Sequence, residues 1–236
     1  MTEKSSDTAV GENAKVLMAR IALAAQQANR DPSEIRLMAV TKTNSAQRVN
    51  EAIAAGITLL GENRAQELLE KYDDYNKDGC EIHFIGHLQT NKVKAVIKKV
   101  SLIQSVDRLS LAEKIDRCAK EAGRIMPVLV EVNIGGEASK SGVPVPVLTE
   151  LLSQMAAFPN IKIKGLMCIP PNVTDDLTKE RYFAEMYRHF IDIKAKKMDN
   201  VCMDILSMGM SYDFPFAIKH GSNIVRIGRG LFGDRL

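Results

Sequence analysis

The sequence has 236 residues, 45% of them hydrophobic, enough chain to bury one sizeable core and close to the length of a single α/β barrel. Its 32 basic and 29 acidic residues leave a net charge of +3, far from the concentrated positive charge of a dedicated nucleic-acid binder. Cys80, Cys118, Cys168 and Cys202 form no CxxC pair or zinc-type spacing, and no run approaches the roughly 18 apolar residues of a membrane span, which together argue for a soluble cytoplasmic protein with reduced thiols.

Residues 1–10 read as a polar, disordered leader with no apolar h-region behind a basic start. Gly11 to Asn29 carries Val16, Leu17, Ile21, Leu23 and Ala24 at spacings near three and four, which predicts an amphipathic helix ahead of the first strand. A strand over Arg36 to Lys42 is followed by a helix from Ala46 to Ala55, stopped by Gly56. The alternation continues with strands at 58–60, 82–85 and 102–105, followed by helices at 65–75, 90–99 and 108–122. In the second half the strands fall at 127–132, 163–167, 203–206 and 224–227, the first three followed by helices at 145–157, 178–195 and 213–219 and the last by a short tail.

Eight strand-helix units predict parallel pairing through right-handed crossovers, and close most naturally into a (β/α)8 barrel of the TIM type with an extra N-terminal helix. The whole chain, 1–236, then forms one domain. An open doubly wound sheet is the rival. No GxxxxGK[ST] loop follows any strand, which removes the main support for a P-loop reading.

Barrel sites form at the C-terminal ends of the strands. There the sequence places Lys42, Gly61-Glu62-Asn63, Gly86-His87, Ser105 to Arg108, Asn133, Ser207-Met208-Gly209-Met210-Ser211 and Arg226-Ile227-Gly228. Lys42 is either an ordinary solvated lysine or an amine in a partly desolvated pocket, suited to an imine with an aldehyde. The glycine-bearing stretches after the last two strands suit a phosphate held by backbone N–H groups, or are plain turns. Arg226 lies inside the eighth strand, where burial demands an acceptor, a partner charge or a ligand. His83 and His87 have i, i+4 spacing but lie on a strand and the glycine after it, which argues against metal. The lysines at 92, 94, 98, 99, 194, 196 and 197 read as solvated helical faces.

As a set these motifs resemble the pyridoxal phosphate homeostasis proteins, single-domain barrels related to the N-terminal domain of alanine racemase. The blocks that carry the resemblance include Ala39-Val-Thr-Lys42, Leu60-Gly-Glu-Asn63 with Gln66-Glu67, His83-Phe-Ile-Gly-His-Leu-Gln89, Ser105-Val-Asp-Arg108, Ser139-Lys-Ser-Gly142, Ser207-Met-Gly-Met-Ser-Tyr-Asp213 and Arg226-Ile-Gly228, in order from Ala39 to Gly233. Two positions depart from the family pattern: His87 replaces a proline, and Arg229 a phosphate-side hydroxyl. Carried over, the resemblance implies that Lys42 holds pyridoxal 5'-phosphate (PLP) as a Schiff base, with Asn63 beside the cofactor. Arg226 then faces its pyridine nitrogen, keeping that nitrogen unprotonated and the ring a weak electron sink. Ser207, Met208, Gly209 and Gly228 would hold the phosphate, with Arg229 either adding a charge-assisted contact or pointing away. Lys140 matches a lysine linked to secondary cofactor handling.

The implied function is storage, delivery and scavenging of PLP without catalysis, with apo PLP-dependent enzymes as recipients, and with no membrane or nucleic-acid partner. The alternative is a weak amino-acid racemase, which needs an acid/base on each face of the substrate α-carbon. Lys42 serves one face; Tyr212, beside the phosphate stretch, is a poor second base. An RNA-binding module lacks a stacking set, since the chain has no tryptophan and 5% aromatics. A monomer is expected.

Overall fold

The computed structural model describes residues 9–233. Helix α1, Ala9–Gln27, buries Val10, Ala14, Leu17, Ile21, Ala24 and Ala25. Its buried stripe is not quite the predicted one: Val16 and Leu23 are 56% and 55% exposed, and Ala14 and Ala25 take their places facing the body. The leader is also shorter than expected, because Ala9 and Val10 already belong to α1; its remaining residues, 1–8, lie outside the described part.

Nine strands follow: β1 Arg36–Val40, β2 Leu59–Glu62, β3 Glu81–Phe84, β4 Leu102–Val106, β5 Met126–Asn133, β6 Val143–Pro144, β7 Ile161–Cys168, β8 Val201–Ser207 and β9 Ile224–Ile227. Every pairing is parallel, in the order β4-β3-β2-β1-β9-β8-β7-β5, and β4 pairs again with β5 so that eight strands close into a ring. The closed (β/α)8 barrel is therefore the fold, and the open sheet is excluded because neither β4 nor β5 is left as an edge. The two-residue β6 extends β5 outside the ring and has no counterpart in the sequence reading.

Helices α2 Ala46–Ala54, α3 Ala65–Lys71, α4 Val93–Val96, α5 Leu109–Glu121, α6 Leu148–Ala156, α7 Asp176–Ala195, α8 Phe214–Lys219 and α9 Arg229–Phe232 surround it. Three fall short of expectation, the helix over 145–157 because its first turn, Val145–Val147, is 3₁₀. The helix over 90–99 is a 3₁₀ turn, Thr90–Lys92, and the single turn of α4, while that over 65–75 gives way to 3₁₀ geometry at Tyr72–Asp74. No helix among the described residues is long and apolar enough to cross a membrane.

Strand alternation splits the apolar residues into two shells. Ala39, Leu60, Ile103, Val130, Leu166, Leu206, Val225 and Ile227 join the large core between sheet and helices. Inside the barrel, Met38, Val40, Leu59, Ile85 and Ile224 make one cluster and Leu102, Leu129 and Met167 another, with Ile205 against both. Each fully buried side chain of this kind is worth about 1.5–3 kcal/mol. The same parity carries five polar residues into the interior: His83 with Ile85, Gln104 with Leu102, Glu131 with Leu129, Ser207 with Ile205, and Arg226 with Ile224.

Candidate functional site

Lys42 continues the inward row of Met38 and Val40, two residues past the end of β1, and is half-buried. The backbone there is fixed on both sides. Thr41, fully buried, donates from its N–H and from Oγ1 to the Gly61 carbonyl, at 3.0 and 3.1 Å. Thr43 takes a left-handed φ of 64°, and its N–H donates 2.8 Å to Glu67 Oε2, which also accepts from Lys71 Nζ at 2.9 Å. Burial alone would raise the Glu67 carboxyl; the Thr43 N–H and the Lys71 ammonium hold it below its ordinary value. Glu67 thus clamps the turn that presents Lys42, a role set by an approach across 24 residues of chain that its place in the sequence does not disclose.

Asn63 extends the inward row of Leu59 and Gly61 on β2 by the same parity. Its Oδ1 is buried without a hydrogen-bond partner, an arrangement that asks for a donor from a ligand. Gly86, after β3, lies directly against the Asn63 backbone: a Cβ at residue 86 would come within 1.9 Å of the Asn63 carbonyl oxygen. Gly86→Ala is therefore expected to displace Asn63 at a cost of about 1–3 kcal/mol, read in a denaturant melt, and to weaken ligand retention with it.

Arg226 is 4% exposed inside the barrel. Its guanidinium donates through Nη1 to the Ser207 carbonyl and Oγ, both at 2.7 Å, and through Nη2 to the Cys168 carbonyl at 2.7 Å. Burial pulls its pKa down, opposed by the field of Glu131 and Asp213. The buried arginine is thus held by oxygen acceptors, with no carboxylate in direct contact among the described residues. Ser207 in turn donates to Gln104 Oε1 at 2.7 Å, so its hydroxyl is spent inside the barrel.

Beyond β8 and β9 the two expected phosphate stretches meet. The Arg226 N–H donates to the Gly209 carbonyl at 3.0 Å, and the Gly230 N–H to Ser211 Oγ at 3.3 Å. Gly209 needs its residue type: φ is +91°, and a Cβ would lie 2.5 Å from the Ala217 Cβ. The Met208 N–H is taken by the Ile224 carbonyl and its side chain is buried in the outer core, so Ser207 and Met208 support these loops from below. The N–H groups of Gly209 and Gly228 find no partner among the described residues. Arg229, at the rim, lies over the Tyr212 ring at 5.2 Å, and Tyr212 itself is 74% exposed, turned outward.

Glu131 is the acidic group that sequence reading missed. It lies in the interior row of β5, 6% exposed, its carboxyl without a hydrogen bond among the described residues. Burial, then the nearby Asp107 carboxylate, push its pKa up to about 7 against the pull of Arg226. The signal was present as an acid inside the apolar run Val128 to Val132, the same signal that singled out Arg226. Gln104 carries the same signal, and so does His83, which the sequence singles out only through its spacing from His87. Asp107 pairs with Arg108 at 2.5 Å, and exposed His87 approaches it at 3.9 Å. His83 points inward and His87 outward, so the two do not converge. Cys168, fully buried, has its thiol pushed up to about 12 and is no nucleophile.

Lys140 reaches across the mouth to the Pro170 carbonyl at 3.2 Å and pairs with Glu137 at 2.8 Å, tying the β5–β6 loop to the segment after β7. The site is thus a barrel mouth with a lysine, an orphaned amide oxygen, a buried guanidinium, a buried carboxyl and two joined glycine loops, a donor set that fits an anionic aromatic aldehyde.

A barrel with its lysine at the end of β1 and its glycine loops after the last two strands is of the alanine racemase type. The family model described as the alanine racemase N-terminal domain matches residues 13–236. The pyridoxal phosphate homeostasis protein of Aquifex aeolicus is 42% identical over 219 residues, 93% of this chain and 95% of its own. That of Pseudomonas aeruginosa is 38% identical, covering 96% of both chains. The solved structure of PipY from Synechococcus elongatus with PLP bound superposes with a TM-score of 0.79 at 32% identity, over 90% of this chain and all of the other. The chain belongs to the alanine racemase N-terminal domain family and, within it, to the pyridoxal phosphate homeostasis proteins.

Proposed function

We propose that this protein binds PLP at the barrel mouth and stores, delivers or scavenges it in the cytoplasm, without catalysing a reaction of its own. The observation that carries the reading is the convergence of Lys42, the unpartnered Asn63 amide oxygen and Arg226 on one mouth capped by the glycine loops after β8 and β9. When bound, the cofactor supplies an electrophilic aldehyde. Lys42 would link to it as a Schiff base, the N–H groups of Gly209 and Gly228 would hold its phosphate, and Arg226 would face its ring nitrogen and keep that nitrogen unprotonated. Arg229 would add its charge at the rim. The names of the relatives and the PLP in PipY support the ligand. One barrel acting as a single domain and a monomer is the form in which we expect it to serve apo PLP-dependent enzymes.

The test is the visible absorbance of the protein with saturating PLP. Wild type is expected to develop the band of a lysine-linked chromophore and Lys42→Ala to lose it altogether; a wild type without the band overturns the reading. A second reading, weak racemase activity, draws on Glu131, whose pKa of about 7 suits a general acid or base. Solvent deuterium entering the α-position of alanine, lost in both Lys42→Ala and Glu131→Gln, would favour it.

A further inference from the structure

Inside the barrel a single file of hydrogen bonds runs from the mouth to the opposite end. Arg226 Nη1 donates to Ser207 Oγ at 2.7 Å, and Ser207 donates to Gln104 Oε1 at 2.7 Å. Gln104 Nε2 meets His83 Nδ1 at 2.9 Å, and His83 Nε2 meets Glu81 Oε2 at 3.2 Å. Glu81, at the first residue of β3, is paired with Arg36 at the first residue of β1, at 2.7 Å, where both are solvent-accessible. The three middle members, Ser207, Gln104 and His83, are each 1% exposed or less.

Both ends fix the direction of this file. A guanidinium only donates and a carboxylate only accepts. Ser207 therefore accepts from Arg226 and gives its one hydrogen to Gln104. Gln104 must present its oxygen to Ser207 and its amide N–H to His83, which must be the neutral tautomer with hydrogen on Nε2. Flipping the amide would leave an unprotonated ring nitrogen facing Glu81, so one arrangement satisfies every member. Burial disfavours the imidazolium of His83, in keeping with that tautomer.

We infer that Gln104 and His83 are positioning residues for the cofactor site: their file, anchored at the Arg36–Glu81 pair, sets the Ser207 hydroxyl and through it the guanidinium of Arg226. Neither touches the mouth. The inference rests on the function proposed above for its consequence, but the file can be observed without cofactor.

Two measurements test it. In cofactor-free protein labelled with ¹⁵N-histidine, His83 is expected to show a protonated Nε2 and a hydrogen-bonded Nδ1, and Ser207→Ala, two links away, to move the Nδ1 resonance while Ser207→Thr restores it. A His83 with hydrogen on Nδ1, or one blind to Ser207→Ala, overturns the file whether or not PLP binds. With PLP, Gln104→Leu is expected to hold the cofactor about ten-fold more weakly and to shift the pH midpoint of its visible band. Ile103→Ala, which removes bulk from the helix-facing side of the same strand, is expected to stay within two-fold of wild type with the midpoint unmoved. Wild-type affinity in Gln104→Leu, or equal losses in both variants, overturns the positioning role. Should Gln104→Leu not fold, the Ser207→Ala and Ser207→Thr pair carries the same comparison. Absence of any band in wild type defeats the proposed function alone and leaves the ring-nitrogen result to decide the file.

Discussion

Arg226→Ala is expected to destabilise the protein by about 3–5 kcal/mol and to lower the melting temperature by roughly 10 °C or more. Removal of the guanidinium strands three acceptors that are buried with it, the carbonyls of Ser207 and Cys168 and the Ser207 hydroxyl oxygen. Each unsatisfied group costs about 1–3 kcal/mol, and the vacated volume adds a cavity cost. Arg226→Lys should recover less than half, since a single ammonium cannot reproduce a fork that serves both β7 and β8. Arg226→Met, which refills the volume, separates packing from polarity: recovery to wild-type stability in a urea titration would show that the hydrogen bonds contribute little. Combining Arg226→Met with Glu131→Gln should be non-additive by about 0.5–3 kcal/mol, because the two groups share an interior and a field.

Stability is expected to fall as pH rises from about 4.5 to about 7, and Glu131→Gln to remove most of that fall. The ordinary value of 4.5 describes the unfolded carboxyl, whereas the native one holds its proton to about 7. Between those values the native chain binds more protons than the unfolded chain, so unfolding becomes easier with each step up in pH. The contribution is fully present below about 4.5, is lost as pH passes through about 7, and amounts to roughly 3 kcal/mol at most. At pH 8 Glu131→Gln should therefore melt about 5–10 °C above wild type, and at pH 4.5 the two should coincide. Glu62, raised in the same direction by burial, slopes both curves alike, so their difference isolates Glu131. Parallel wild-type and variant curves from pH 4.5 to 8 would show that Glu131 ionises normally.

Strand parity explains how much of the site was legible. Lys42 follows an apolar run and lies at its end, so a linear reading finds it, and Asn63 is found in the same way after β2. Arg226 was found because a charge interrupts Ile224 to Ile227. Glu131, Gln104 and His83 interrupt their runs just as plainly, yet their partners stand on other strands. Gln104 joins Ser207 across 103 residues of chain, and His83 across 21. The spacing of a sequence does not report which interior residues meet across a ring. The Ser207 hydroxyl and the Met208 N–H, both expected at the phosphate, are taken by β4 and β9 partners, whereas the N–H groups of Gly209 and Gly228 have no partner among the described residues.

Local chemistry alone determined the eight strand-helix units, the lysine at the end of β1 and the glycine loops of the last two, because periodicity, turn residues and strand ends are properties of neighbouring residues. Only closure of the barrel decided the rest. Pairing β4 with β5 puts Glu131, Gln104, His83, Ser207 and Arg226 in one desolvated interior. There a carboxyl near pKa 7 and a one-way hydrogen-bond file arise from burial and geometry that no single segment contains.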